Sequence, residues 1–71
     1  MRTEDHRVIV AVLRTLPDRQ REAVVLRYYA DLSEADTAAA MGISRGAVKS
    51  HTARGVAALR RHLDDGERQS W

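Results

Sequence analysis

The chain contains no cysteine, which excludes a disulfide framework, a zinc knuckle and thiol chemistry. That absence agrees with a reducing compartment. No apolar run approaches the roughly 20 residues that a membrane-spanning helix needs, so no membrane partner is expected. The opening Met1-Arg2-Thr3-Glu4-Asp5-His6 has no apolar core after its basic residue and does not read as a signal peptide. Metal-ligand spacing is missing as well: His6, His51 and His62 are scattered singly. No two carboxylates are set up for acid–base work. Ser44 or Ser50 beside His51 reads as a helix cap and a surface neighbour rather than a nucleophile with its base. Seventy-one residues make one domain at most, and at this size only about 60% of the chain's surface is buried on folding. A pre-organised catalytic cleft is therefore not expected, and no catalytic, metal or cofactor site is assigned.

The most telling absence is of acid. Twelve basic and ten acidic residues give a net charge of only +2, but no aspartate or glutamate lies between Thr37 and Leu63. That window holds Arg45, Lys49, Arg54, Arg60 and Arg61 together with His51 and His62. A nearly neutral domain with one locally basic segment carries the electrostatic footprint of a polyanion binder.

What is present is helical patterning. A first helix is expected over about 4–16. Thr3 can cap it, Glu4 and Asp5 suit its positive end, and Val8, Ile9, Val12, Leu13 and Leu16 form an apolar face. Pro17 ends it, because the residue before a proline is pushed out of the α region. A second helix is expected over about 18–30. Ala23, Val24, Val25 and Leu26 form its apolar side, Tyr28 and Tyr29 close it, and Arg19, Arg21 and Arg27 are exposed. Solvation of the outer face accounts for Arg19; Arg21 and Arg27 are candidates for phosphate contact. A third helix over about 34–41 opens on a Ser33–Asp36 capping pair. Its alanines at 38–40 permit close approach of another helix, and Gly42 suits the left-handed residue that ends it, with Ile43 plugging the turn.

The fourth helix starts after Ser44 and runs to about residue 63. Val48, Thr52, Gly55 and Leu59 share one side, with Val56 and Leu63 at its edge. Arg45, Gly46, Lys49, Ser50 and Ala53 lie on the other, with Arg54 flanking. A glycine at 55 costs about 1 kcal/mol relative to alanine in mid-helix, which a close helix crossing would explain. Residues 64–71 read as a polar, frayed tail, and Trp71 either docks on the domain or simply ends the chain, the second being preferred. There are no candidate strands, repeats or low-complexity segments.

Two capped helices joined by a glycine turn make a helix-turn-helix, in which the second helix enters the major groove. Free amides at the start of the third helix, next to Ser33, suit phosphate oxygens. Gly46 and Ala53 keep the exposed face of the fourth helix shallow. Lys49 can reach a guanine edge or a phosphate, Ser50 can donate or accept, and Arg54 is placed to grip a phosphate. His51 faces partly back to the domain. The residues assigned to DNA are thus Arg45, Gly46, Lys49, Ser50, His51 and Arg54, with Arg21, Arg27 and Ser33 in support.

These residues fall into an ordered set. Leu16-Pro17-Asp18-Arg19-Gln20-Arg21-Glu22, Val25-Leu26-Arg27-Tyr28-Tyr29, Leu32-Ser33-Glu34-Ala35, Met41-Gly42-Ile43-Ser44-x-Gly46-x-Val48-Lys49-Ser50, and Arg54 with Leu59-Arg60 resemble region 4 of bacterial sigma factors. The nearest group is the extracytoplasmic-function type, in its SigE-like actinobacterial branch. The resemblance covers about residues 8–63. It implies an all-α, four-helix domain with a C-terminal helix-turn-helix, of the winged-helix-like or sigma-4 kind without strands. It also implies recognition of the minus-35 promoter element in double-stranded DNA, contact with the β flap of RNA polymerase core, an anti-sigma factor as a further partner, and a cytoplasmic, nucleoid-associated setting. On this match Arg45, Lys49, Ser50, His51 and Arg54 fall on the DNA-reading helix, and Arg21 and Arg27 fall where relatives approach the phosphate backbone. Ala47, His51 and Gly55 stand where relatives commonly have threonine, arginine and alanine, which bears on base preference. Region 2, which reads the minus-10 element, has no counterpart here. The chain is expected to be either a domain excised from a longer sigma factor or a free-standing regulator.

Two other readings are weighed. The LuxR-type output domain shares a V-K-x-H signature with Val48-Lys49-Ser50-His51, but its opening proline falls out of phase with Pro17 and the Arg54-to-Arg60 pattern suits sigma factors better. A sigma-4-like protein-interaction module without DNA contact would show itself by exposing Val25, Tyr28 or Val56.

Overall fold

The computed structural model describes the backbone of residues 3–69 and the side chains of residues 6–64. It contains four helices, α1 (Thr3–Thr15), α2 (Asp18–Val24), α3 (Glu34–Met41) and α4 (Arg45–Gln69), with a π-helical turn (Val25–Tyr29) continuing α2. Among the described residues there is no strand, hence no wing.

α1 buries Val12, Leu13 and, just past its end, Leu16, while Ile9 is half-buried. Val8, expected on the same face, is 48% exposed, because it lies at the margin of the apolar stripe. The helix begins one residue before the expected start, and the Thr3 side chain lies outside the described residues. Thr15 Oγ1 donates to the Val12 carbonyl at 2.6 Å, and Pro17, extended at φ −54° and ψ 145°, turns the chain into α2.

α2 is the middle of the packing. Its Ala23 joins Ala38, Met41 and Val48, with Leu26 and Ile43 packed against them. The next residue, Val24, joins Leu13 and Leu16, with Ile9, Val25, Val56 and Leu59 packed alongside. One cluster therefore binds the helix-turn-helix to α2, and the other binds α1 to the far half of α4. The expected single helix over 18–30 is corrected here: after Val24 the ladder widens, and the Ala30 amide donates to the Val25 carbonyl at 3.0 Å. No proline or glycine marks the change, so periodicity could not reveal it.

Between the π turn and α3, Asp31 takes a left-handed φ of 56°, a conformation that aspartate tolerates better than most residues. α3 has the expected bounds. Ser33 Oγ accepts from the Asp36 amide at 3.0 Å, and Gly42 ends the helix at φ 67°. Ile43 donates its amide back to the Ala38 carbonyl at 3.1 Å and packs on the core. Only Ala38 of the alanine run is buried; Ala39 and Ala40 face outward, and Thr37, Ala38 and Met41 make the inner face.

α4 starts where expected, with Ser44 Oγ accepting from the Ala47 amide at 3.0 Å. It continues to Gln69 rather than fraying after residue 63. No proline lies in 64–69, so nothing forces the helix to end there. Trp71 lies outside the described residues. The close crossing expected at Gly55 is present: a Cβ there would sit 2.6 Å from Val24 Cγ2 and 3.3 Å from the Gln20 carbonyl oxygen.

Candidate nucleic-acid interface

The Ser44 cap fixes the phase of α4, and buried Val48 fixes which side faces inward. Arg45, Gly46, Lys49, Ser50, Ala53 and Arg54 are consequently all exposed. Nothing stands above Gly46 except Ser44 Oγ, 3.9 Å from the place a Cβ would occupy. The outer face is shallow where the small residues lie and carries cations around them. His51 is half-buried, and its Nδ1 is enclosed without a hydrogen-bond partner among the described residues.

The supporting residues are more engaged than the sequence suggested. Arg21, expected to be exposed, is half-buried and donates to Asp18 Oδ1 at 2.7 Å and to the Arg14 carbonyl at 3.4 Å. Arg27 is half-buried as well and donates through Nη1 to the Leu32 carbonyl, holding the segment that leads into α3. Ser33 spends its Oγ acceptor on the α3 cap. Arg19 does more than solvate an outer face: it donates to the Met41 carbonyl at 3.1 Å, satisfying a free carbonyl at the end of α3. No local pattern could have found that contact, since it joins two helices.

Two further features were invisible along the chain. The acid-free window is not acid-free in space, because Glu34, from the first turn of α3, places Oε1 3.6 Å from Nε of Arg45. The two helix starts lie side by side, so sequence separation hid the pair. In addition, Arg60 joins Arg27 and Lys49 around a cleft of about 360 Å³, with Glu34 and Tyr28 also on its walls. Further along α4, Ile9, Val24, Tyr28, Tyr29, Val56 and Leu59 line an apolar groove. Tyr28 is 65% exposed there.

The helix-turn-helix with its outward cations, held on α1 and α2, agrees with what comparison with known proteins returns. Residues 6–59 match the family described as Sigma-70, region 4. The chain belongs to the sigma-70 region 4 family. It is 44% identical over 59 residues to an RNA polymerase sigma-E factor of Streptomyces coelicolor, a stretch covering 83% of this chain and 33% of that protein. It is 42% identical over 60 residues to the sigma-E factor of Streptomyces avermitilis, covering 84% of this chain and 34% of that one. The sigma-E factor of Streptomyces antibioticus is 40% identical over a similar stretch. The chain thus corresponds to about a third of the length of these relatives. This membership answers the LuxR-type alternative: the shared V-K-x-H residues sit in a sigma region 4 domain.

Proposed function

We propose that this domain reads the minus-35 element of bacterial promoters as region 4 of a sigma factor, directing RNA polymerase to transcription initiation. The observation that carries the reading is the outer face of α4: Arg45, Lys49, Ser50 and Arg54 exposed around the small Gly46 and Ala53, on a helix whose first turn holds no acid of its own. Such a helix fits a major groove about 12 Å wide. Lys49 and Ser50 address base edges and Arg54 addresses a phosphate. His51 sits at the margin of the face, and Ser33 holds the start of α3 toward the backbone. Arg21 and Arg27, already bonded within the domain, add positive potential more than specific contacts.

The role proposed is one of binding, which membership of the sigma-70 region 4 family supports. A second face supports a protein partner alongside DNA. The apolar groove beside Tyr28 and Tyr29 suits docking of the polymerase β flap, and an anti-sigma factor covering the same domain would compete for these surfaces. Of the three residues named as markers of a protein-binding face, Tyr28 is exposed and Val25 and Val56 are half-buried, which supports a protein-binding surface beside the cationic face of α4. No helix among the described residues is long and apolar enough to cross a membrane, and the action proposed is cytoplasmic, on the nucleoid. The reading is tested by titrating the chain against minus-35-type and scrambled duplexes; binding without preference for the promoter duplex counts against it.

A further inference from the structure

The pair between Glu34 and Arg45 stands at the entrance of the DNA-facing helix. Arg45 is the first residue of α4, where the positive end of the helix dipole disfavours a cation. Helices ordinarily place an acid in that turn; α4 has none. The missing negative charge comes from a neighbouring helix instead. Glu34 is the first residue of α3, where a carboxylate is favoured, and its side chain is one-third exposed against 69% for Arg45. The acid is thus the better-held partner and the arginine the freer one. The contact is made through Nε, at 3.6 Å. No other partner of the Arg45 guanidinium occurs among the described residues. An exposed pair of this kind adds little to stability, and a carboxylate beside a phosphate-binding face weakens general attraction to DNA, so the pair bears on how DNA is read as well as on the helix ends.

We propose that Glu34 is a specificity-determining positioning residue: it holds Nε of Arg45 so that the two terminal nitrogens face outward as a fork set to read a guanine. Arginine recognises guanine through paired bonds to O6 and N7, and a guanidinium drawn along its Nε edge toward Glu34, by charge at 3.6 Å rather than by a hydrogen bond, keeps its terminal pair free for that contact. An untethered Arg45 would reach equally well for the nearest phosphate, which carries no sequence information. Glu34 thus lowers affinity for DNA in general and raises discrimination among sequences. The inference deepens the promoter reading above and rests on it.

The test is selection of short duplexes with a randomised core by the 71-residue chain, sequencing the bound fraction, together with affinity across a salt series. The variants are Glu34→Ala, Arg45→Ala, the double variant, and Asp36→Ala, which removes an exposed acid from the same turn of α3 without touching Arg45. Thermal melting confirms that each variant folds. In the wild type, one selected position should favour guanine, and Arg45→Ala should reduce that preference by about tenfold. Glu34→Ala should lose most of it, bind scrambled DNA more tightly, and steepen the slope of log K against log salt by about 0.9 as Arg45 turns to a phosphate. Asp36→Ala should keep the preference, and the double variant should discriminate no worse than Arg45→Ala alone. If Glu34→Ala selects guanine as strongly as the wild type, or Arg45→Ala loses no preference, the positioning role is overturned while the promoter reading stands. If the wild type selects no sequence, the promoter reading falls and this inference falls with it.

Discussion

Lys49 and Arg54 share the exposed side of α4 but are assigned different tasks, and single substitutions separate them. Lys49→Ala should lose about 1–3 kcal/mol of discrimination at one base pair. Arg54→Ala should weaken binding to all sequences alike and reduce the salt slope by about 1. Fluorescence anisotropy with promoter and scrambled duplexes distinguishes the two, and identical behaviour of both variants would refute the division. Thr37 offers a prediction on stability alone. It is fully buried, with no partner for its Oγ1 among the described residues, and an unpaired buried hydroxyl costs about 1–3 kcal/mol. Thr37→Val keeps the shape and removes the hydroxyl, so the variant should be more stable by about 1 kcal/mol in urea unfolding; a loss of stability would mean that the hydroxyl is satisfied in solution.

At the scale of elements, the crossing of α2 and α4 is governed by Gly55. Replacing it with alanine gains about 1 kcal/mol of helix propensity. It also drives a methyl to 2.6 Å from Val24 Cγ2, a side chain that is itself buried, and to 3.3 Å from the Gln20 carbonyl. Overpacking of this kind costs about 1–3 kcal/mol, so Gly55→Ala should lower the melting temperature, and a rise would show that α4 can slide away from α2. The same elements show what could be read from the chain beforehand. Ser33, Gly42 and Ser44 are local signals, acting within a few residues, and they gave α3, its turn and the start of α4 at their observed positions. The outward face of α4 followed from the phase that Val48 imposes. The π turn at Val25–Tyr29 was hidden because it changes one hydrogen-bond step without changing composition. The far end of α4 was underestimated because polar residues continue a helix as readily as they leave one. Contacts between elements, Arg19 to the end of α3 and Glu34 to Arg45, leave no trace in local pattern.

Two surfaces of different chemistry lie along one long helix: cations around its first turns and an apolar groove beside its middle. They should respond to different perturbations. Tyr29→Ser should reduce association with RNA polymerase core while leaving binding to isolated DNA within about twofold, since Tyr29 lines the apolar groove and not the cleft beside Lys49. Pull-down with core enzyme beside a duplex titration checks this, and equal loss of both would place Tyr29 on the DNA surface instead.

The most direct measurement is the titration of this chain against a minus-35-type promoter duplex and a scrambled duplex across a salt series. A sigma region 4 domain that reads DNA through α4 should prefer the promoter duplex and show an affinity that falls steeply with salt, because phosphate contacts release counterions. Equal affinity for both duplexes, with little dependence on salt, would contradict promoter reading by α4.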